Sequence, residues 1–212
     1  MAHLIFLYTL VLTYRKITKI CAHIRFDIRG ERKNNQKDAP IEFVWNSIIA
    51  KCRDNYVPSE QITVDEQLCT TRGRVGFKTY IPTKPGKYGI KIWVLADAKK
   101  NSYLCNAQIY TGKHANTVEK NQGERVVLQL SDPFCHKGRT ITCDNFFTTI
   151  NLAKHLLVKK TALVGTVRKQ RTFLPLQFQK NNRELGTKFL YSRKSNNVSF
   201  YRQAWQKCYY PQ

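Results

Sequence analysis

The chain has 212 residues, 42% of them hydrophobic, enough for one ordinary domain with a packed core. Its 36 lysines and arginines against 14 aspartates and glutamates give a net charge of +22, more than solubility requires, which singles out a polyanion, nucleic acid first, as partner. Seven scattered cysteines argue against a disulfide framework or zinc site, and no Gly-rich phosphate loop or Gly-x-Ser-x-Gly elbow supports an ATPase or a hydrolase of that kind.

Residues 4 to 14, LIFLYTLVLTY, are strongly apolar but too short to span a bilayer as a helix, and Arg15 and Lys16 follow the run instead of preceding it as in a signal peptide. A buried helix or an improvised terminus is expected there, with no membrane partner. Residues 25 to 37, RFDIRGERKNNQK, read as a charged linker. Asp38 and Pro40 then supply a helix start, and Ile41, Val44, Trp45, Ile48, Ile49 and Cys52 recur at helical spacing, which predicts one apolar face turned to the core.

Beyond this helix the period changes to that of strands. A first strand carries ITVDEQ, and YGIKIWVLAD (88 to 97) and YLCNAQIYTG (103 to 112) form an antiparallel hairpin. A helix over 123 to 131, a strand over 139 to 145, a helix over 146 to 160 and a strand over 161 to 168 complete the series. Three strands in a meander followed by crossovers predict an α/β fold, a mixed sheet covered by helices.

Alternation places Ile62 and Val64 on one face of the first strand and Thr63, Asp65 and Gln67 on the other; in the fourth, Ile141 and Cys143 oppose Thr140, Thr142 and Asp144. If these strands are neighbours, Asp65 and Asp144 converge, and two carboxylates at close range are favourable mainly when they share a cation. Mg²⁺ suits such a site, being hard and oxygen-seeking. The residues alone leave other readings open: Asp144 as the cap of the following helix, and Asp65-Glu66 as a solvated strand edge.

Longer blocks add a resemblance. ITVDEQL, RGRVGFKTYIPTKPGKYGIKIWVLAD, ITCDNFFTTINLAKHLL and LVGTVRK follow one another as in the catalytic domain of piggyBac-type transposases. The likeness runs from roughly residue 25, weakly at RFD, through APIEFVWNSIIAKCRDNYVPSE to about residue 202. It implies an RNase H-like fold whose Asp-Asp-Asp triad holds two Mg²⁺ or Mn²⁺ ions, one activating a water or a DNA 3′-hydroxyl and the other stabilising the leaving oxygen. Asp65 and Asp144 match the first two acids, as catalytic residues and metal ligands.

The family's third Asp belongs to a later Gly-Gly-Val-Asp block, and this chain reaches Gln212 without one; Glu184 falls where the family's insertion begins. The family's cysteine-rich zinc module has no counterpart here either. The resemblance therefore leads us to expect a fold incomplete at its C-terminus and a transposon-derived protein that has lost DNA transposition; a non-enzymatic nucleic-acid-binding protein or an inert remnant is the alternative. The expected division is a helical N-terminal segment and linker over 1–57, a partial catalytic core over 58–170 and the start of the insertion over 171–212. A nuclear location and a homodimer are also implied. Arg72 and Arg74 after the first strand, Lys84 and Lys87 in the turn PTKPGKYG, and Arg168, Lys169 and Arg171 after the last strand are the expected DNA contacts, made to phosphate and hence non-specific and salt-dependent.

Overall fold

In the computed structural model of the chain, the described residues are 14–28, 30, 32, 36–112, 119–168, 189–191 and 199–201. Residues 4 to 13 of the apolar start lie outside them. Helix α1 (Tyr14–His23) is exposed from Lys16 to Cys21, so the buried helix expected for the start of the chain does not extend into it. Among the described residues no helix is long and apolar enough to cross a membrane.

Helix α2 (Ala39–Asp54) begins at Asp38 with Pro40 in its first turn, where the missing amide proton costs no hydrogen bond. Its expected apolar face is largely not core. Ile49 is buried and Val44, Trp45 and Cys52 are half-buried, but Ile41 and Ile48 are exposed. The reason is its seat: α2 lies along the edge strand β4 (Leu104–Ile109), where the Tyr103 hydroxyl donates to Cys52 O at 3.3 Å and Tyr103 stacks on Tyr56 at 4.0 Å. An edge seam covers a narrower stripe than a sheet face would.

The sheet comprises β1 (Gln61–Thr70), β2 (Thr79–Tyr80), β3 (Tyr88–Asp97), β4, β5 (Thr140–Cys143) and β6 (Ala162–Gly165). β2 and β4 share one edge of β3, after which the order runs β3-β1-β5-β6. β1 pairs antiparallel with β3, and β3 with β4, whereas β5 lies parallel to both β1 and β6. The mixed sheet is therefore as expected, and the first long strand and the fourth, whose adjacency the sequence left open, lie side by side.

The short strand β2 was not foreseen, nor was the antiparallel pair β7 (Phe189–Tyr191) and β8 (Ser199–Tyr201). Helices α3 (Gln122–Ser131) and α4 (Ile150–Val158) cover one face. There Ile62, Val64, Trp93, Leu95, Ile141 and Cys143 of the strands meet Val126, Val127 and Leu130 of α3 and Leu152 and Leu156 of α4, all but excluded from solvent. The six cysteines among the described residues are free, and Cys105, Cys135 and Cys143 are core residues.

The entry to β1 is held from both neighbouring strands. Asp97, at the end of β3 and fully buried, accepts five hydrogen bonds: from the Ser59 amide (2.7 Å) and hydroxyl (2.7 Å), the Tyr56 hydroxyl (3.0 Å) and the amides of Lys99 (2.8 Å) and Lys100 (3.0 Å). From the other side Arg139, one residue before β5 and likewise buried, donates to Ser59 O (3.0 Å), Pro58 O (3.1 Å) and Phe134 O (3.0 Å). A buried carboxylate and a buried guanidinium thus grip the same residue, each satisfied by hydrogen bonds.

Burial by itself would push the Asp97 carboxyl up. The donors from Ser59, Lys100 and Lys99 outweigh it and hold the group well below its ordinary 3.8. A depressed carboxylate contributes stability that is complete above the unfolded-state value, about 3.9, and is lost as pH falls below it. We expect urea stability to fall more steeply on acidification below about pH 4 in wild type than in Asp97→Asn. At neutral pH the variant should be less stable by about 2–3 kcal/mol, because the donors lose a charged acceptor and one accepting oxygen becomes an amide donor that faces them.

Candidate active site

β5 stops at Cys143, opposite Val64, while β1 runs on for six more residues paired only with β3 on its other side. The early stop opens a notch beyond the carboxyl end of β5, the place where open α/β sheets admit ligands. Asp65 and Asp144 each follow directly on the last registered pair, Val64 with Cys143, so they flank this notch on strands about 4.8 Å apart. Both line a cleft of about 170 Å³ together with Glu66, Asn145, Phe146, Phe147 and Arg168. The convergence expected from alternation is present.

Each aspartate is steadied by its own backbone. Asp65 Oδ1 accepts from the Glu66 amide at 2.7 Å, and Asp144 Oδ1 accepts a short hydrogen bond from the Phe146 amide. Among the described residues neither Oδ2 accepts a hydrogen bond, which leaves one hard oxygen per acid for a ligand. The negative charge of the pair is felt beneath it: the Cys143 thiol is pushed up to about 12, first by burial and then by the charges of Asp144 and Asp65.

Asp144 is not the cap of the following helix. The Phe146–Thr149 stretch expected to be helical is a turn, because Thr148 returns to Asp144 O through its amide (3.1 Å) and hydroxyl (2.7 Å). Thr149 then caps α4 by accepting from the Leu152 amide at 3.0 Å. The turn sets Phe147 into the core against Trp93 (5.4 Å) and leaves Phe146 as the half-open wall of the cleft, stacked on Trp93 at 5.5 Å.

Glu66 is occupied differently. Its carboxylate pairs with Lys91 Nζ at 2.7 Å, and Lys91 lies over the Trp93 ring at 4.0 Å with Phe146 at 5.3 Å. This half-buried, cation-capped acid is bound within the protein, in contrast to its neighbour Asp65.

Of the basic residues expected at DNA, Arg168 reaches the cleft, where its Nε donates to Asn145 Oδ1 at 2.8 Å. Lys84 lines a second cleft of about 350 Å³ that adjoins the first at Glu66. Arg72, Arg74 and Lys87 stand exposed on the loops beyond β1 and before β3 and line neither cleft. Lys169 and Arg171 lie outside the described residues. The anchoring of Arg168 by Asn145 was not foreseen; its signal was the Asn directly after the second acid.

A family model described as Transposase IS4 matches residues 4–208. The chain belongs to this transposase family. The piggyBac type read from the sequence is borne out by the relatives. The chain is 37% identical over 120 residues to human PiggyBac transposable element-derived protein 3 and, equally, to the human Chimeric ERCC6-PGBD3 protein. Those matches take in 54% of the chain but only 20% and 11% of the two relatives.

The cryo-EM structure of a piggyBac transposase synaptic complex with hairpin DNA matches 89% of the chain with a TM-score of 0.77 and 34% identity, over 42% of its own length. The transposase fold, an RNase H-like mixed sheet with flanking helices, is thereby established. The chain spans less than half the length of these proteins.

Gly165, opposite Cys143, lets the acid-bearing turn close onto β6: a Cβ there would lie 2.2 Å from Thr148 Oγ1 and 3.0 Å from Cys143 O. Gly165→Ala should therefore destabilise by about 1–3 kcal/mol, read as a lowered melting temperature. An unchanged midpoint would contradict the close packing.

Proposed function

We propose that the chain is the DNA-handling core of a piggyBac-type transposase, carried by residues 58–170, in which Asp65 and Asp144 together hold Mg²⁺ or Mn²⁺ against a DNA phosphate. The observation that carries this reading is the meeting of the two acids in one cleft, each with an oxygen that accepts no hydrogen bond among the described residues. The donor set fits the ion: two hard carboxylate oxygens in an open, polar notch, with room for water and phosphate to complete an octahedral shell. When bound, such an ion supplies charge neutralisation at phosphorus and activation of the attacking oxygen.

The chain's own residues supply the rest. Asp65 is fixed in mid-strand and Asp144 in a hydrogen-bonded turn, so the ligand oxygens arrive pre-positioned. Arg168, steadied by Asn145, sets a positive charge at the mouth where a phosphate must enter. Phe146 closes one wall with an apolar ring. Arg72, Arg74, Lys84 and Lys87 extend the positive field along the strand ends, which suits a nuclear, DNA-bound protein.

We read the chain acting alone as binding DNA without transposing it. Among the described residues no group of three or more His, Cys, Asp or Glu is placed to hold a metal ion, and two-ion chemistry depends on ligand number and geometry. In an excision assay on DNA bearing matched terminal repeats with Mg²⁺, the chain should release no element; excision would refute the loss of activity. Duplex affinity should fall linearly on a log scale with salt, and Arg168→Ala should reduce the slope by about 0.9, one phosphate contact. A salt-independent affinity would refute the DNA reading.

A further inference from the structure

We propose that Tyr80 and Tyr88 form a stacking platform for the unpaired bases of single-stranded DNA, on the sheet face that carries Asp65. This deepens the DNA reading above and rests on it. The two tyrosines are register partners of β2 and β3, with ring centroids 4.7 Å apart and planes tilted by 38°. They are 51% and 53% exposed, so the core does not account for them. Two large rings side by side on an open edge offer the π-faces that unstacked bases seek and that duplex DNA, with its bases already stacked, cannot use.

Their placement relates them to the acids. Asp65 is the register partner of Val94, and even-numbered positions of β3 from Val94 back through Ile92 and Ile90 to Tyr88 share one face. Six residues of strand separate Val94 from Tyr88, about 20 Å, a span that a few nucleotides of extended strand can cover. The segment that carries the two tyrosines has one sign of charge. No acidic residue occurs between Glu66 and Asp97, and Lys78 Nζ lies 5.9 Å from the Tyr88 ring centre.

The platform is also rigid. The Ile81 amide donates to Lys87 O at 2.7 Å and the Lys87 amide to Lys84 O at 3.0 Å, closing the loop between the two tyrosines. At Gly86 a Cβ would lie 1.7 Å from Thr70 Cγ2, so that loop is seated directly on the end of β1. Preorganised aromatic anchors lose little freedom on binding.

The test is fluorescence anisotropy of labelled oligothymidine and of a mixed-sequence duplex on the full chain, with photo-crosslinking of an iodouracil oligonucleotide to the wild type. We expect Tyr80→Leu/Tyr88→Leu to weaken single-strand binding by about tenfold for each stacked base lost while leaving duplex binding and the salt slope unchanged. Tyr80→Phe/Tyr88→Phe should retain single-strand affinity, and crosslinks should map to Tyr80 or Tyr88.

Single-strand binding indifferent to the Leu changes, or crosslinks elsewhere, would overturn the platform while leaving duplex binding intact. Equal loss on both DNA forms would overturn it too. A concentration-dependent mass abolished by the Leu variant, with DNA binding unchanged, would assign the tyrosines to contact between copies of the chain instead. Failure of the wild type to bind either DNA form would overturn the DNA reading itself.

Discussion

Ser59 decides where β1 lies. Its amide and hydroxyl are taken by the buried carboxylate of Asp97 at the end of β3, and its carbonyl by the buried guanidinium of Arg139 at the start of β5. Strand pairing by itself leaves register open to a slip, and a slip of one residue would turn every side chain of β1 to the opposite face. With the approach to β1 fixed from both sides, Ile62 meets Asp97 and Ile141, and Val64 meets Leu95 and Cys143. The apolar residues then fall on the helix-covered face, and Asp65 falls beside Asp144.

The cleft arises from unequal strand length. β5 ends where its ladder with β1 ends, and the chain turns through Asp144 to Thr148 before α4, closing on itself by hydrogen bonds to the Asp144 carbonyl. β1 continues, supported by β3, and so exposes an edge beside the turn. The same stretch separates two adjacent acids by environment. Glu66 points to the helix-covered side, where Lys91 and Trp93 hold it, while Asp65 points to the open side. One acid serves packing, and the other is left to the cleft.

Much of this was legible in the sequence because period-2 alternation is strong in ITVDE and ITCD, which puts each Asp on the more polar face of its strand; that the two strands pair was left open, since a strand hairpin as well as a helix lies between them. The site acids could be named from that alternation and from the piggyBac resemblance. Other features depend on tertiary choices that leave no local mark. An arginine before TITC looks the same in sequence whether exposed or buried, and Arg139 is buried only because Pro58, Ser59 and Phe134 offer carbonyls from elsewhere in the chain. The start of α4 was read four residues early because FFTT continues an apolar run, whereas two threonine hydroxyls compete for backbone partners there and hold a turn. The face of α2 was overestimated because helical spacing shows which residues align, and not how wide a surface will meet them.

The central claim is that the fixed register of β1 and β5 makes one ion site of Asp65 and Asp144. Calorimetric titration of Mn²⁺ into the wild-type chain, Asp65→Ala and Asp144→Ala tests it most directly. The account predicts saturable binding in the wild type that either substitution abolishes, with both variants still folded by circular dichroism. Binding that survives both substitutions, or a folded wild type that takes up no ion, would contradict it.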